Sequence, residues 1–155
     1  MPWDEDCIRK AICVAVSARK NGNHPFGAIL TDENGKVLLK AENTVITKKD
    51  STGHAETNLM RKASKKYEED FLSKCTIYTS TEPCPMCVGA IYWTNIRRVV
   101  FGLSERKLYE LSGENPEDIF FCPAKELFMK GNKKIEVIGP LLETEALKVH
   151  ENFWK

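Results

Sequence analysis

Apolar positions along the chain follow a helical spacing in some segments and a strand spacing in others. Between Asp4 and Lys20 they recur at three- and four-residue intervals, which predicts a helix that ends at Asn21-Gly22. Phe26–Thr31 and the apolar run after Asn34-Gly35 predict two strands, and an Asn-Gly pair is typical of a hairpin turn. The chain is therefore predicted to begin with a helix followed by a hairpin.

A second group of elements is predicted after a polar loop. A helix is expected from His54 to about Lys66, and a short strand from Cys75 to Ser80. Pro85 suits the first position of a helix that runs to about Thr94, and Arg98–Phe101 has the pattern of the next strand. A strand–helix–strand unit of this kind implies two parallel strands.

Weaker patterns beyond Gly102 complete the expected architecture. They predict, in order, a helix at Glu105–Leu111, a polar turn at Gly113–Pro116, a helix at Ala124–Lys130, a strand at Ile135–Ile138 and a terminal helix from Glu143. Alternating helices and strands are typical of an α/β domain with helices on both faces of a sheet. A length of 155 residues suits a single domain over residues 1–155.

The charged residues are nearly balanced, which narrows the expected partners. The chain has 23 basic and 22 acidic residues, a net charge of +1, so no nucleic-acid partner held by a basic surface is expected. The longest uncharged stretch, Pro83–Ile96, has 14 residues with two prolines, and no membrane partner is expected. The acidic start Met1–Asp6 lacks the pattern of a secretory signal, which favours a cytoplasmic location.

Six cysteines in a chain of this kind indicate free thiols or metal ligands rather than disulfides. Cys84 and Cys87 alone have the spacing of metal ligands. The others stand in apolar helix or strand patterns or beside a proline, and we expect packing roles for them because a free cysteine behaves as a small buried hydrophobe. They are Cys7, Cys13, Cys75 and Cys122.

The Cys84-Pro85-Met86-Cys87 segment contains two candidate metal ligands. Its two thiols are three positions apart at the start of a predicted helix, where they face the same way and the helix dipole favours thiolates. His54 opens another predicted helix and supplies a third zinc ligand, and Glu56 follows two positions later. Three protein ligands leave the fourth tetrahedral position open, which is typical of a catalytic zinc site.

Two other interpretations of these residues are open. A Cys-x-x-Cys pair also occurs in redox proteins, although the flanking Pro83 and Pro85 and the upstream His54 disfavour that interpretation. A structural zinc module without catalysis would need a fourth ligand, from Cys75, Cys122, His24 or His150. That module would leave Glu56 unexplained.

Longer segments resemble the cytidine-deaminase-like superfamily of zinc deaminases, and within it the small bacterial guanine deaminases. The His-x-Glu and Pro-Cys-x-x-Cys pattern is the signature of zinc deaminases, and the similarity covers roughly residues 8–104. It rests on Pro25–Ala28, Asn43, His54–Glu56, Thr81–Cys87 and Gly89–Trp93. The resemblance implies a three-layer α/β/α fold around a mixed five-stranded sheet, assembled as a homodimer, with one Zn²⁺ per chain.

The resemblance also implies roles for single residues. His54, Cys84 and Cys87 are the implied metal ligands, and Glu56 is the implied catalytic acid–base, which moves protons from water to a ring nitrogen and to the departing ammonia. Substrate contacts are implied at Asn43, Phe26, Ala55 and Trp93. From the residues alone, Asn43 is equally a turn residue, and Phe26 and Trp93 are equally core residues.

The substrate is expected to be a small nucleobase or nucleoside, deaminated by hydrolysis with release of ammonia. Similarity at Pro25–Ala28 and Gly89–Trp93 favours a guanine-type purine. A tRNA adenosine is an alternative, but Leu103–Arg106 departs from that family's pattern, and cytosine is another. The Phe-Asp-Asp segment of guanine deaminases has no clear counterpart, although Asp118 or Glu117 can substitute for it.

The remaining histidines and the aromatic tail have open roles. His24 is expected to be structural or on the surface, and His150 is expected on the surface of the terminal helix. Phe153 and Trp154 are unusual in a solvated tail. Either they pack on the domain or on a partner subunit, or they close the active site as a lid.

Overall fold

The structure, a computed structural model, describes residues 1–113 and 115–154, with a five-stranded sheet at its centre. The strands are β1 (Gly27–Thr31), β2 (Val37–Glu42), β3 (Thr76–Thr81), β4 (Arg98–Leu103) and β5 (Glu136–Ile138). They lie in the order β2-β1-β3-β4-β5. β1 is antiparallel to both of its neighbours, whereas β3, β4 and β5 run parallel. The predicted mixed five-stranded sheet is confirmed.

The helices lie within one or two residues of their predicted bounds. They are α1 (Asp4–Lys20), α2 (Ala55–Lys66), α3 (Glu69–Leu72), α4 (Pro85–Thr94), α5 (Glu105–Ser112), α6 (Ala124–Phe128) and α7 (Glu143–Lys148). The short helix α3 and a 3-10 turn at Pro116–Asp118 were not predicted, because single turns carry little periodicity. Glu114, in the predicted polar turn, and Lys155 lie outside the described residues.

The sheet separates two apolar layers. Tyr78 packs with α1 on one face, while its neighbour Ile77 packs with α2 and α4 on the other. Every residue of the inner strands β1, β3 and β4 is buried, as expected of strands covered on both faces. The three-layer α/β/α arrangement is thereby confirmed.

The hairpin between β1 and β2 forms at the predicted place. Gly35 has a φ of +83°, in the left-handed region that favours glycine. A Cβ there would also meet the ring of Trp3 at 2.6 Å. The Asp32 carboxylate accepts hydrogen bonds from the backbone N–H groups of Asn34 and Lys36, which satisfies the turn.

A buried ion pair ties the start of α1 to the sheet. Arg98 Nη2 donates to Asp4 Oδ2 at 2.6 Å, and the Tyr78 hydroxyl donates to Asp4 Oδ1 at 2.6 Å. Burial alone would raise the pKa of Asp4, but these hydrogen bonds hold it well below its usual value. All three side chains lie beneath α1, so the fold depends on their pairing.

Two predictions from the sequence are wrong. Cys13 was expected to pack in the core, but it lies on the exposed side of α1, whereas Cys7 and Cys75 are buried as expected. His150 was expected on a helix surface, but it lies past the end of α7 and is only 2% exposed. The helix ends at Lys148, so His150 lies in the turn that follows it rather than on the helix surface. No helix in the described ranges is long and apolar enough to cross a membrane.

Candidate active site

Three helix N-termini meet at the carboxyl edge of the parallel strands. His54 is the residue before α2, Cys84 is the residue before α4, and Ser104 is the residue before α5. β3 leads into α4 and β4 leads into α5, so both connections leave from the same edge of the sheet. This edge is where open α/β sheets bind their ligands.

The predicted metal ligands come together at this edge. Cys84 Sγ lies 3.5 Å from His54 Nδ1, and Cys87 Sγ lies 3.6 Å from the same nitrogen. Ligand bonds of zinc are about 2.0–2.3 Å long, and tetrahedral geometry then places two ligand atoms roughly 3.6 Å apart. The donor set of one imidazole and two thiols therefore fits zinc in both chemistry and spacing.

The charges in the ligand group also suit a cation. The hydrogen bond with the Cys87 thiol, followed by the one with His54, lowers the pKa of Cys84 to about 4 against the opposing effect of burial. The same hydrogen bond and burial raise the pKa of Cys87. Cys84 is thus the first thiolate of the pair, and a divalent cation would favour the second as well.

A structural zinc site would need a fourth protein ligand, and the described residues do not supply one. Among the described residues, His54, Cys84 and Cys87 form a group of possible ligand atoms within 4.8 Å of one another, and no fourth such side chain joins them. Cys75 packs in the core, and its thiol donates to the carbonyl of Phe71 at 3.4 Å. The arrangement is that of an open, catalytic type of site.

Glu56 lies in the first turn of α2 and lines the pocket beside the ligand group. The residue is 7% exposed. Burial, and next the negative charge of Cys84, raises the pKa of Glu56 to about 7. A carboxyl group with a pKa near neutrality can both accept and donate a proton, as a general acid–base requires.

A pocket of about 480 Å³ opens onto the ligand group. Among the described residues that line it, four carry carboxyl groups and none is Lys or Arg: Glu56, Glu82, Glu105 and Asp118 are the acidic ones. Phe26, Tyr109 and Trp154 supply aromatic walls. Aromatic walls suit a small planar molecule, and the described lining offers no Lys or Arg to bind an anion.

The four predicted substrate contacts have different positions. Phe26 lines the pocket, and Ala55 is fully buried in the first turn of α2. Asn43 is buried after β2, and its Oδ1 accepts the N–H of Val45, so its carbonyl serves a turn. Trp93 is 74% exposed and lies outside this pocket, against a separate groove.

Helix geometry explains the position of Trp93. It follows Cys87 by six residues, and six helical steps of about 100° place it roughly 240° around α4 from the metal ligand. Its ring packs edge-on against Tyr92, with the ring centroids 5.1 Å apart. The structure therefore brings Phe26, but not Trp93, to the pocket of its own chain.

The aromatic tail packs on the domain and also lines the pocket. Trp154 is a pocket residue, and its ring centroid lies 5.6 Å from that of His24 and 6.1 Å from that of Phe26. His24 lines the same wall and packs on Trp154, which agrees with the structural one of its two expected positions rather than with the surface one. The two sequence interpretations of the tail, packing and closing the site, describe the same contact.

Glu105, Leu108 and Tyr109 of α5 also line the pocket and were missed by sequence analysis. Glu105 follows the N-cap Ser104, where an acidic residue is common for helix stability alone. No local pattern distinguishes it from such a residue. Asp118, which was suggested as a substitute for a family motif, lines the pocket, and Glu117 is not among the lining residues.

An α/β sheet with a histidine–cysteine–cysteine group and a buried glutamate at its carboxyl edge defines a zinc hydrolase site. The chain belongs to a deaminase family, because the model of the cytidine and deoxycytidylate deaminase zinc-binding region matches residues 1–103. This match agrees with the resemblance found over residues 8–104. It confirms the superfamily, and with the ligand group it confirms zinc as the cofactor.

Individual relatives extend the similarity through the last third of the chain. The probable cytosine deaminase of Schizosaccharomyces pombe is 45% identical over 150 residues, which cover 95% of this chain and 90% of that protein. A tRNA-specific adenosine deaminase of Buchnera aphidicola is 33% identical over 153 residues, 98% of this chain and 94% of that one. A guanine deaminase structure from Nitrosomonas europaea has a TM-score of 0.76 at 25% identity, covering 94% of this chain and 81% of that one.

Proposed function

We propose that this chain is a zinc-dependent hydrolytic deaminase of a small nucleobase or nucleoside, with a guanine-type purine as the first candidate. The observation that carries the proposal is the position of Glu56, buried in the pocket beside the group formed by His54, Cys84 and Cys87. The resemblance at Pro25–Ala28 and the structural likeness to a guanine deaminase support the purine.

The mechanism assigns each polar group a task. Zinc, when held by His54, Cys84 and Cys87, supplies a Lewis acid that lets water react at neutral pH. Glu56 takes a proton from that water and delivers it to a ring nitrogen of the substrate. It then takes a second proton, from the hydroxyl group added to the ring carbon, and gives it to the amino group, which leaves as ammonia while the carbonyl forms. Phe26 and Trp154 hold the planar ring in the pocket and exclude water.

Cytosine is the second candidate. It is favoured by the relative named a probable cytosine deaminase, which is 45% identical along nearly the whole chain. A tRNA substrate is less favoured, although a tRNA-acting relative exists. RNA binding needs several contacts between basic side chains and phosphates, and this pocket has an acidic lining.

The test is ammonia release from guanine, guanosine, cytosine, adenine and a tRNA anticodon stem-loop, measured with the zinc-loaded protein. Release from guanine or cytosine supports the proposal and selects between its two candidates. Conversion of adenosine to inosine in the stem-loop, without release from any small substrate, would overturn it.

A homodimer is the assembly that we propose from the family resemblance. The outer face of α4 and the segment after α6 expose two large apolar side chains, Trp93 and Met129, each 74% exposed. A contact between Trp93 and a substrate would require the pocket of a second chain. Light scattering of the purified protein tests this, and Trp93→Ser is expected to shift the mass toward that of a monomer.

A further inference from the structure

Glu105 is a buried carboxyl group without a partner. It is 2% exposed, and neither of its carboxylate oxygens has a hydrogen-bond partner among the described residues. Buried carboxylates are rare unless they are paired, because burial removes the hydrogen bonds that water would otherwise make. A residue kept in this state is a candidate for binding a ligand.

Glu105 is one of the residues that line the deaminase pocket, and both of its carboxylate oxygens are shielded from solvent. Glu82 lines it as well, but Glu82 Oε1 accepts the backbone N–H of Glu105 at 2.9 Å and Oε2 accepts that of Ala124 at 2.8 Å. The Tyr109 hydroxyl is near Glu105, yet its own hydrogen bonds go to the backbone of Phe120. Both oxygens of Glu82 are thus occupied by backbone N–H groups, whereas those of Glu105 are available to a ligand.

The protonation of Glu105 defines what it can bind. Burial, and next the charge of Glu82, raises its pKa to about 8. At neutral pH it is therefore mainly a carboxylic acid, with a hydroxyl donor beside a carbonyl acceptor. That pair complements a heterocycle edge on which an N–H lies next to an acceptor atom.

The position of Glu105 relative to the metal ligands indicates which edge of the substrate ring it contacts. The reacting carbon of the substrate must lie at Glu56 and the metal ligands, and Glu105 is not a member of the ligand group. It therefore meets another part of the ring. In cytosine, whose reacting carbon is C4, an N–H beside an acceptor occurs away from that carbon at N1–H and O2. In guanine the reacting carbon is C2 and its neighbour N3 receives the proton from Glu56, so the remote group that Glu105 can bind is N9–H.

We propose that Glu105 is a specificity-determining residue that binds this N–H, together with the neighbouring O2 when the base is cytosine, and so selects free bases. In nucleosides, nucleotides and tRNA the same ring nitrogen carries the sugar and has no hydrogen to donate. The inference rests on the proposed deaminase function and deepens it, because it names free nucleobases as the substrate class. The lining agrees with it, since the described pocket residues include no Lys or Arg to bind a phosphate group.

The first test compares free bases with N-methyl analogues. We expect the zinc-loaded protein to show a kcat/KM at least about 100-fold lower for 9-methylguanine or 1-methylcytosine than for guanine or cytosine, since a site built to hydrogen-bond an N–H rejects an analogue that lacks it. Equal rates for the methylated and free bases would overturn the proposal.

The second test changes Glu105. We expect Glu105→Met to lower kcat/KM for the free base about 100-fold and to leave the N-methyl analogue within about threefold, so the preference collapses. Glu105→Gln, whose amide keeps a donor and an acceptor, should stay within about tenfold of the parent on the free base. The matched control is Glu110→Met on the exposed side of the same helix. An equal loss on free and methylated bases would contradict the proposed role.

A third measurement separates recognition from a structural role. Removing an unpartnered buried polar group should raise Tm in Glu105→Met, whereas Glu105→Gln keeps a polar group there and should have a Tm near that of the parent, both with an unchanged zinc content. A residue that holds the fold would lower Tm instead, and that result would overturn the proposal.

Binding measurements test the role of Glu105 separately from the proposed deamination. In a Glu56→Gln background, calorimetry with guanine and with cytosine should show binding that Glu105→Met weakens at least about tenfold. If no small base releases ammonia, the proposed function fails, and these dissociation constants still decide the role of Glu105. Equal binding with and without the Glu105 change, or no binding of either base, overturns the inference.

Discussion

Trp154 donates its indole N–H to Nδ1 of His150 at 3.0 Å, and the two rings are stacked with their planes 15° apart. This contact holds the tail against the wall of the pocket, because Phe26 packs against both rings, with its centroid 5.4 Å from that of His150 and 6.1 Å from that of Trp154. The acceptor must be unprotonated for the bond to form. The state of His150 and the position of Trp154 are therefore linked.

The tail contact predicts an effect on substrate binding. Trp154→Ala removes an aromatic wall of the pocket, so KM should rise about three- to tenfold while zinc stays bound. Phe153→Ala is the matched control, because Phe153 packs on His24 and Arg19 and is not a pocket-lining residue. Steady-state kinetics gives KM for the two variants, and elemental analysis gives their zinc content. If both variants raise KM equally, the tail acts through packing in general.

His150 predicts a loss of stability in acid. Burial, and next the charge of Arg19, lowers its pKa from 6.5 to about 4, so the unfolded chain binds a proton that the folded chain excludes. Its contribution is neutral above pH 6.5 and turns unfavourable as pH falls from about 6.5 to 4, by up to about 3 kcal/mol. Denaturant unfolding across this range measures it. His150→Gln, which does not titrate, should flatten that part of the curve.

The ligand group predicts metal binding. Purified protein should hold about one zinc per chain, and Cys87→Ser should lose most of it because one of three protein ligands is weakened. Cys13→Ser changes an exposed thiol and is the control. Elemental analysis gives the zinc content. Full zinc retention by the Cys87 variant would exclude that residue as a ligand.

Replacing Glu56 is expected to slow catalysis without affecting the fold. Glu56→Gln keeps the size of the side chain but removes the titrating carboxyl group, so the rate should fall by about 10²–10⁴-fold. Zinc content and Tm should be retained, because the ligand atoms belong to other residues. Single-turnover ammonia release is the measurement. Turnover near that of the parent would remove Glu56 from the proposed mechanism.

The buried ion pair predicts a strong effect on stability. Arg98→Met removes the buried guanidinium from the Asp4 carboxylate, which keeps only the Met1 ammonium group at 2.9 Å, and should lower the free energy of unfolding by up to about 3–5 kcal/mol. The double variant Asp4→Leu, Arg98→Met removes both charges and should be less destabilised than the Arg98 variant alone. Denaturant unfolding of the two variants tests this order.

Local sequence was sufficient for most elements and for the ligand group. The helical spacing from Asp4, the proline at position 85 and the Asn-Gly turn each act within a few residues, so their bounds follow from the chain itself. The Cys-x-x-Cys and His-x-Glu spacings place the donor atoms at the starts of helices. A strand–helix–strand unit brings such helix starts to the same edge of the sheet. The metal site was therefore predictable.

Tertiary packing alone decided the walls of the pocket and the exposure of single residues. Glu105 resembles any acidic residue at a helix start until α5 lies over the pocket. His150 is buried because α7 ends at Lys148 and the turn after it packs on the domain. Trp93 lies outside the pocket because of its angle on α4. Burial and the pairing of polar groups arise between segments that are distant in sequence, and no local period encodes them.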